Sequence, residues 1–314
     1  LEERLEKVIS AAKMYYLLDL GQQEIAKRLG VSRPTVSRLL QQAKQEGIVQ
    51  IKIKDPTGDI EQLSEDIQTM FNLKEAIIVS VPQYEDILVK KYLGEATADY
   101  LYSTVKEGDC IAVSWGSTMY QVALQLVNKH LKNVKVVQLN GGVSYSETNT
   151  YASEIIQLFA KAFHTSPHLL PLPAIVDQVV VKQAIEADRH IRSVLDLGNQ
   201  ANIALFTVGV PLKDSLLLQA GYFSQEETSL ITTEGVGDIC SRYFDEEGNI
   251  VSEELNSRTI SVELSELSRK EYSILVAGGP SKVEAVYGAL RGRYANVLVT
   301  DEFTARVLLG KKQT

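Results

Sequence analysis

The sequence predicts a two-part chain: a small winged helix-turn-helix head, then a large α/β body built on a parallel sheet. Three observations predict it. Gln22 to Gln45 reads helix–glycine–helix with well-separated faces. From Leu73 on, apolar runs of strand length alternate with helical patterns. Charge is divided, with ten Lys/Arg against six Asp/Glu in residues 1–54 (net +4) and 22 against 34 in the rest (net −12). A basic head on an acidic body suits a protein whose head alone meets a polyanion.

The head comes first. Leu1 to Leu20 reads as a leading helix, with Val8, Ala11, Ala12, Tyr15 and Tyr16 on its packing face. The next helix spans Gln22 to Leu29, and Ile25, Ala26 and Leu29 form its apolar stripe. Gly30 suits a left-handed helix end, Val31 plugs the turn, and Ser32 stands at the N-cap of the helix that follows. Pro34 falls in that helix's first turn, where proline is tolerated. Val36, Leu39, Leu40 and Ala43 recur at helical spacing and face inward. Pro34, Ser37, Arg38, Gln41 and Gln45 face outward, flanked by Arg33, Thr35 and Gln42. No acidic residue lies between Gly30 and Gln45. Arginine, glutamine and hydroxyl donors match base edges and phosphates, so this helix is expected to read DNA. Gly47 ends it. Ile48 to Lys54 then alternates at strand period and predicts the β-wing, with Lys52 and Lys54 on flanking phosphates or simply solvated on an edge strand.

Asp55-Pro56-Thr57-Gly58-Asp59 is a breaker cluster, which places the domains at 1–57 and 58–314. Ile60 to Phe71 is an amphipathic helix that either pairs with a second copy or docks on the body. The strands expected in the body are Ala76–Val81, Cys110–Ser114, Val134–Leu139, Ile203–Val208, Ile239–Phe244, Ser273–Ala277 and Val297–Thr300. Helical patterns cover Ile87–Val105, Met119–Asn128, Ala152–Phe163, Val180–Asp196, Ser281–Leu290 and Glu302–Leu309. Near-continuous apolar strands separated by helices imply a parallel sheet covered on both faces.

Open α/β sheets bind ligands at the carboxyl ends of their strands. Three such ends share one chemistry: Trp115-Gly116-Ser117-Thr118, Asn140-Gly141-Gly142 with Asn149 and Thr150 beyond, and Gly278-Gly279-Pro280-Ser281-Lys282. Glycines let backbone amides approach a ligand, and helix starts carry partial positive charge. Each loop taken alone could be only a tight turn. Together they favour a small phosphorylated ligand. None has the spacing of a nucleotide loop. Asp177 and Asp238 are candidate carboxylates for catalysis or for binding hydroxyls, and Asp238 could equally pair with Arg242 or cap a turn.

Other classes fare poorly. His164 and His168 are four apart with no third ligand in sight, and His130 and His190 are scattered, so no metal is expected. No hydrolase or cysteine-nucleophile motif is present. Cys110 and Cys240 lie in apolar runs and read as reduced core residues of a cytosolic protein. No apolar run is long enough to span a membrane, and no secretory pattern opens the sequence.

These residues resemble a family: the SorC-type sugar-binding bacterial transcriptional regulators. The resemblance covers nearly the full length. In the head it is carried by Tyr15-Tyr16, Gln23-x-Ile25-Ala26 and Ser32 to Leu40. In the body it is carried by Ser114-Trp115-Gly116, Gly141-Gly142, Asn202 to Gly209, Val236 to Arg242 and Ala277-Gly278-Gly279. It implies a Rossmann-like body similar to sugar-phosphate isomerases but acting as a sensor. It also implies a dimer or tetramer, repression of sugar or nucleoside catabolic operons, and release from DNA by a phosphorylated sugar. The family's phosphate loop maps onto Gly116, Ser117 and Thr118, its glycine-rich neighbour onto Gly141 and Gly142, and its late basic residue onto Lys282. In the deoxyribonucleoside branch the residue before Gly-Gly is lysine, whereas here it is Asn140, which cannot form an imine with an open-chain aldehyde.

The expectation is a homo-oligomeric DNA-binding regulator, not an enzyme, with no cofactor and no metal. The expected DNA contacts are Ser32, Arg33, Pro34, Thr35, Ser37, Arg38, Gln41, Gln42 and Lys52. The expected effector residues are Gly116, Ser117, Thr118, Asn140, Gly141, Gly142, Asn149, Asp177, Asp238, Gly279 and Lys282. Deoxyribose 5-phosphate is one candidate effector. The alternatives are an unphosphorylated sugar or nucleoside, or an active sugar-phosphate isomerase.

Overall fold

The computed structural model describes residues 2–49, 59–143, 150–212 and 215–311. The chain divides into two compact units, Leu1–Gly58 and Asp59–Thr314. The first holds helices α1 (Glu2–Tyr16), α2 (Gln22–Leu29) and α3 (Arg33–Gln45). Val8, Ala11, Ala12, Ile25, Ala26, Val36, Leu39, Leu40 and Ala43 form its core. Each of its valine, isoleucine and leucine side chains contributes about 1.5–3 kcal/mol by burial. Gly30 takes φ 63° and ends α2. The Ser32 hydroxyl accepts the Thr35 amide at 3.3 Å and caps α3. Two expectations need correction. Helix α1 stops at Tyr16 rather than Leu20, because Asp19 turns left-handed (φ 51°) and leaves Leu17 and Leu18 exposed. Tyr15 is exposed as well, and Met14 joins Tyr16 against the core instead. Of the expected wing, only Ile48 and Val49 fall among the described residues.

The second unit opens with α4 (Ile60–Phe71). Its Leu63 and Ile67 are buried in the body's core, and the Ser64 hydroxyl donates to the Ala76 carbonyl at 2.5 Å, so this helix docks on the body. The order continues β1 (Glu75–Val79), α5 (Asp86–Thr104), β2 (Cys110–Val113), α6 (Ser117–Gln125), β3 (Lys135–Gln138), α7 (Ala152–Ala162), β4 (Pro167–His168), α8 (Val179–Ala187), α9 (Arg189–Gln200) and β5 (Ile203–Phe206). After these come α10 (Leu216–Gln219), α11 (Gln225–Glu234), β6 (Gly237–Ile239), β7 (Arg242–Phe244), α12 (Glu253–Arg258), α13 (Leu264–Leu267), β8 (Tyr272–Val276), a 3-10 turn Pro280–Lys282, α14 (Val283–Arg291), β9 (Val297–Asp301) and α15 (Glu302–Gly310).

Among the described residues, seven strands form one parallel sheet in the order β1-β9-β8-β5-β2-β3-β4. Its two faces are separate cores. Ala112, Val137, Ala204, Phe206, Leu275 and Leu298 pack on one side with α4 and α14. Ile111, Val113, Val136, Ile203, Leu205, Ile274 and Val299 pack on the other with α5, α6 and α7. This period-2 division between two apolar faces is why the strands read as unbroken apolar runs. The chain winds outward from β2 to β4 and then returns to β5, so the topological switch lies between β2 and β5.

Two departures from the expected elements have local causes. Ile239–Phe244 is no sheet strand: β6 and β7 form a separate antiparallel hairpin, turned by Cys240 (φ 52°) and Ser241 (φ 69°). Both central residues are left-handed, a turn that usually advertises itself by Asn or Gly. Val180–Asp196 is two helices, because Asp188 accepts the amides of His190 and Ile191 (2.9 and 3.1 Å) and caps a new start at α9. The short edge strand β4 has no counterpart among the expected elements, nor have the helices α10 to α13 between β5 and β8. Cys110 and Cys240 are free thiols, and burial pushes Cys110 up to about 11. The His130 and His164 rings stack at 3.7 Å, and among the described residues no group of three or more metal-ligating side chains comes together. No helix among them is long and apolar enough to cross a membrane.

Candidate functional site

In the first unit, α3 buries one face and exposes Arg33, Pro34, Ser37, Arg38 and Gln41 on the other, with no acid in its first turn. The remaining expected contacts are already partly engaged. The Ser32 and Thr35 hydroxyls lie 2.8 Å apart and serve the cap. Gln42 accepts from Arg4 Nη2 at 3.2 Å and donates to Glu46 Oε1 at 2.7 Å, so both ends of its amide have partners. Lys52 lies outside the described residues.

In the second unit a cavity of about 160 Å³ opens over the switch between β2 and β5. Its lining comes from successive strand ends: Ser114, Trp115 and Gly116 after β2, Asn140 after β3, and Thr207 to Val210 after β5. Ser117 and Thr118 at the start of α6, Ser215 to Leu217, the β6–β7 hairpin and Lys282 complete it. Gly116 holds φ 127°, and the first bond within α6 runs from the Tyr120 amide to the Gly116 carbonyl at 2.9 Å. The amides ahead of it have no acceptor within the helix and carry its positive end.

Among the described residues, five buried polar atoms of this lining lack a hydrogen-bond partner: Ser114 Oγ, Asn140 Oδ1, Thr207 Oγ1, Ser215 Oγ and Ser241 Oγ. A buried polar group left with no partner at all costs about 1–3 kcal/mol, so this lining favours a polar occupant. The cavity also holds one acid and one base. Burial pushes the Asp238 carboxyl up to about 6, opposed by the Lys282 charge and by the Ser241 amide, which donates to it at 3.1 Å. Burial lowers the Lys282 amine and Asp238 opposes that fall, while the ammonium donates to the Val208 carbonyl. Asp238 therefore caps its own turn. Arg242, its other proposed partner, engages a different segment. The carboxylate lies directly over Gly209, where an added Cβ would come within 1.9 Å of Oδ1.

The structure brings Gly116, Ser117, Thr118, Asn140, Asp238 and Lys282 together. It gives the other glycines different work. Gly141 donates to the Ile260 carbonyl at 2.9 Å, and an added Cβ would meet the Pro173 oxygen at 2.4 Å. Gly142 donates to Leu172 and accepts from Ala174, so neither amide is open to a ligand. The Gly279 amide donates to Asp301 Oδ2 (2.6 Å) and Thr304 Oγ1 (3.0 Å), so the late glycine pair cradles the protein's own carboxylate. Asp177 is exposed and lies outside the cavity lining, and Asn149 falls outside the described residues. Sequence reasoning missed Thr207, Ser215 and Ser241 as lining groups. Thr207 carried a usable signal, a hydroxyl directly after an apolar strand. Trp115 was quoted only as part of a motif, yet its Nε1 donates to the Gly141 carbonyl at 2.8 Å and braces the Asn140 loop.

Residues 55–310 match the "Sugar-bind" family of sugar-binding domains, and residues 3–62 match the Crp-like helix-turn-helix domain. The chain is 30% identical to the full-length sorbitol operon regulator SorC from Klebsiella pneumoniae, whose crystal structure it matches with a TM-score of 0.79 over 97% of this chain and 98% of that one. It belongs to the SorC-type sugar-binding transcriptional regulators. Within that family it is 50% identical to the deoxyribonucleoside regulator of Bacillus subtilis (strain 168) over 307 residues, 98% of each chain. It is 31% identical to the sorbitol operon regulator of Klebsiella pneumoniae over 96% of this chain and 97% of that one. As a SorC-type regulator it joins a DNA-binding head to a sugar-binding body and is not an enzyme. The isomerase alternative falls with that assignment.

Proposed function

We propose that this regulator is a homo-oligomeric repressor of a sugar or deoxyribonucleoside catabolic operon, released from operator DNA when a phosphorylated sugar fills the body's cavity. The observation that carries the reading is the lining itself. Five unpartnered buried polar atoms, Asp238, Lys282 and the start of α6 converge on one space of about 160 Å³. Hydroxyls of a sugar would pair with the unpartnered groups and Asp238, and its phosphate would lie at Lys282 and the amides of Ser117 and Thr118. The 50% identity to a deoxyribonucleoside regulator makes deoxyribose 5-phosphate the first candidate, held without a covalent bond at Asn140. On the DNA side, Arg33, Ser37, Arg38 and Gln41 are exposed donors of α3.

One observation favours a second reading. Lys282 is already bonded to a carbonyl and stands beside Asp238, so together the two bring little net charge to a phosphate. A free sugar or nucleoside would then suffice. A thermal-shift screen of phosphorylated and free pentoses and hexoses separates the two. A ligand at 100 times its dissociation constant adds about 2.7 kcal/mol of stability. A shift from a sugar phosphate without one from the free sugar supports the first reading, and the reverse supports the second.

A further inference from the structure

Along the β6–β7 hairpin, Asp238, Cys240, Ser241 and Tyr243 line the cavity, but Arg242 does not. The residue is only 1% exposed, and its guanidinium is turned away from the cavity. All three of its nitrogens are engaged, and every partner lies in residues 256–263. Nε donates to Ser261 Oγ (3.0 Å) and the Val262 carbonyl (2.9 Å). Nη1 donates to the Asn256 carbonyl (2.9 Å) and to Asn256 Oδ1. Nη2 donates to the carbonyls of Thr259 (3.4 Å) and Ser261 (3.0 Å) and to Glu263 Oε1 (2.7 Å).

That segment also holds the opposite wall. Asn140 bridges to Ser261, the Gly141 amide donates to Ile260 (2.9 Å), and the Val262 amide donates to Leu139 (3.1 Å). One guanidinium therefore ties the wall that carries Asp238 and Ser241 to the wall that carries Asn140. A lysine offers three donors from one atom, whereas the arginine fork spans eight residues of chain from a fixed plane. Stability alone does not account for a charge here, since well-packed apolar groups often replace buried ions at no loss.

We propose that Arg242 is a positioning residue of the cavity: it sets the spacing between the Asp238–Ser241 wall and the Asn140 wall, and through it the affinity for ligand. This rests on the cavity's being the ligand site, and the test separates the two ideas. Arg242→Met and Arg242→Lys are compared with wild type and with Lys270→Met, which removes another buried cation, one that bonds the Gly198 and Asn199 carbonyls and does not line the cavity. Should both Arg242 variants fail to fold, Ser261→Ala removes one acceptor of Nε and leaves the arginine in place.

Amide hydrogen exchange should speed up by about tenfold or more at Asp238–Ser241 and at Asn140–Gly142 together, with β2 and β5 unchanged. By calorimetry, affinity for deoxyribose 5-phosphate should fall by about tenfold or more, while Lys270→Met leaves both readouts at wild type. The proposal is overturned if only residues 256–263 loosen, if Lys270→Met has the same effect, or if affinity is unchanged in a variant whose walls exchange faster. If wild type binds neither deoxyribose 5-phosphate nor any other sugar phosphate, the ligand reading falls, and the exchange measurements still decide the role of Arg242.

Discussion

Replacing Asp238 with asparagine should stabilise the ligand-free protein at neutral pH and weaken it as a sensor. Burial lifts the carboxyl from 3.8 to about 6. That rise corresponds to about 3 kcal/mol between its two protonation states. The folded chain holds this proton more tightly than the unfolded chain does, so its contribution to stability is full below 3.8 and is lost as pH rises through about 6. Above that window the wild type carries a partly buried charge, whereas asparagine stays neutral and still offers Ser241 an acceptor. Asp238→Asn should therefore be more stable by up to about 3 kcal/mol at pH 7.5, roughly 6–12 °C in Tm for a body of this size, with the gap closing below pH 4. Thermal melts of both proteins from pH 4 to pH 8 measure it. A gap that does not vary with pH, or a variant less stable at pH 7.5, would refute the reasoning. Losing the charged acceptor should also cost about 1.5–3 kcal/mol of sugar-phosphate binding, read by calorimetry.

Three further outcomes follow from the same geometry. Lys282→Met should reduce affinity for a sugar phosphate by about 1.5–3 kcal/mol and leave that for the free sugar nearly unchanged; an equal loss for both by calorimetry would take the phosphate away from Lys282. Arg38→Ala should cost about 1–3 kcal/mol on operator DNA selected in vitro, whereas Gln42→Ala should cost little because Arg4 and Glu46 already hold its amide; gel-shift titrations that reverse this order would put the reading head elsewhere on α3. Gly141→Ala drives a Cβ to 2.4 Å from the Pro173 oxygen. It should destabilise by a few kcal/mol and weaken ligand binding by displacing Asn140, and a melt and affinity both matching wild type would show that the loop yields freely.

The head was legible because its signals are local. Gly30, Ser32 and Pro34 each perform the backbone task their chemistry suggests, within a few residues of one another. The parallel sheet was legible because strands buried on both faces read as apolar runs. The β6–β7 turn was not, since Cys240 and Ser241 adopt left-handed backbone without the residues that usually mark it. The cavity was half legible. Gly116, Asn140 and Lys282 are where their strand ends implied, but a glycine's amide can aim at a ligand or at the protein's own carboxylate, and only Asp301, 22 residues beyond Gly279, decides which. Ser114, Thr207, Ser215 and Ser241 converge from separate elements, and no local pattern announces that.

The position of the cavity at the turning point of the winding has a consequence for synthesis. Helix α3 is complete by Gln45 and belongs to the helix-turn-helix unit Leu1–Gly58, held by contacts between neighbouring segments. The proposed ligand cavity draws on residues from Ser114 to Lys282, and Lys282 follows the eighth strand, which must first be laid beside the fifth. Short-range contacts form early on a growing chain and long-range parallel pairing forms late. A ribosome that stops between Gly58 and Lys282 has thus made the part that reads DNA without the part that answers to sugar.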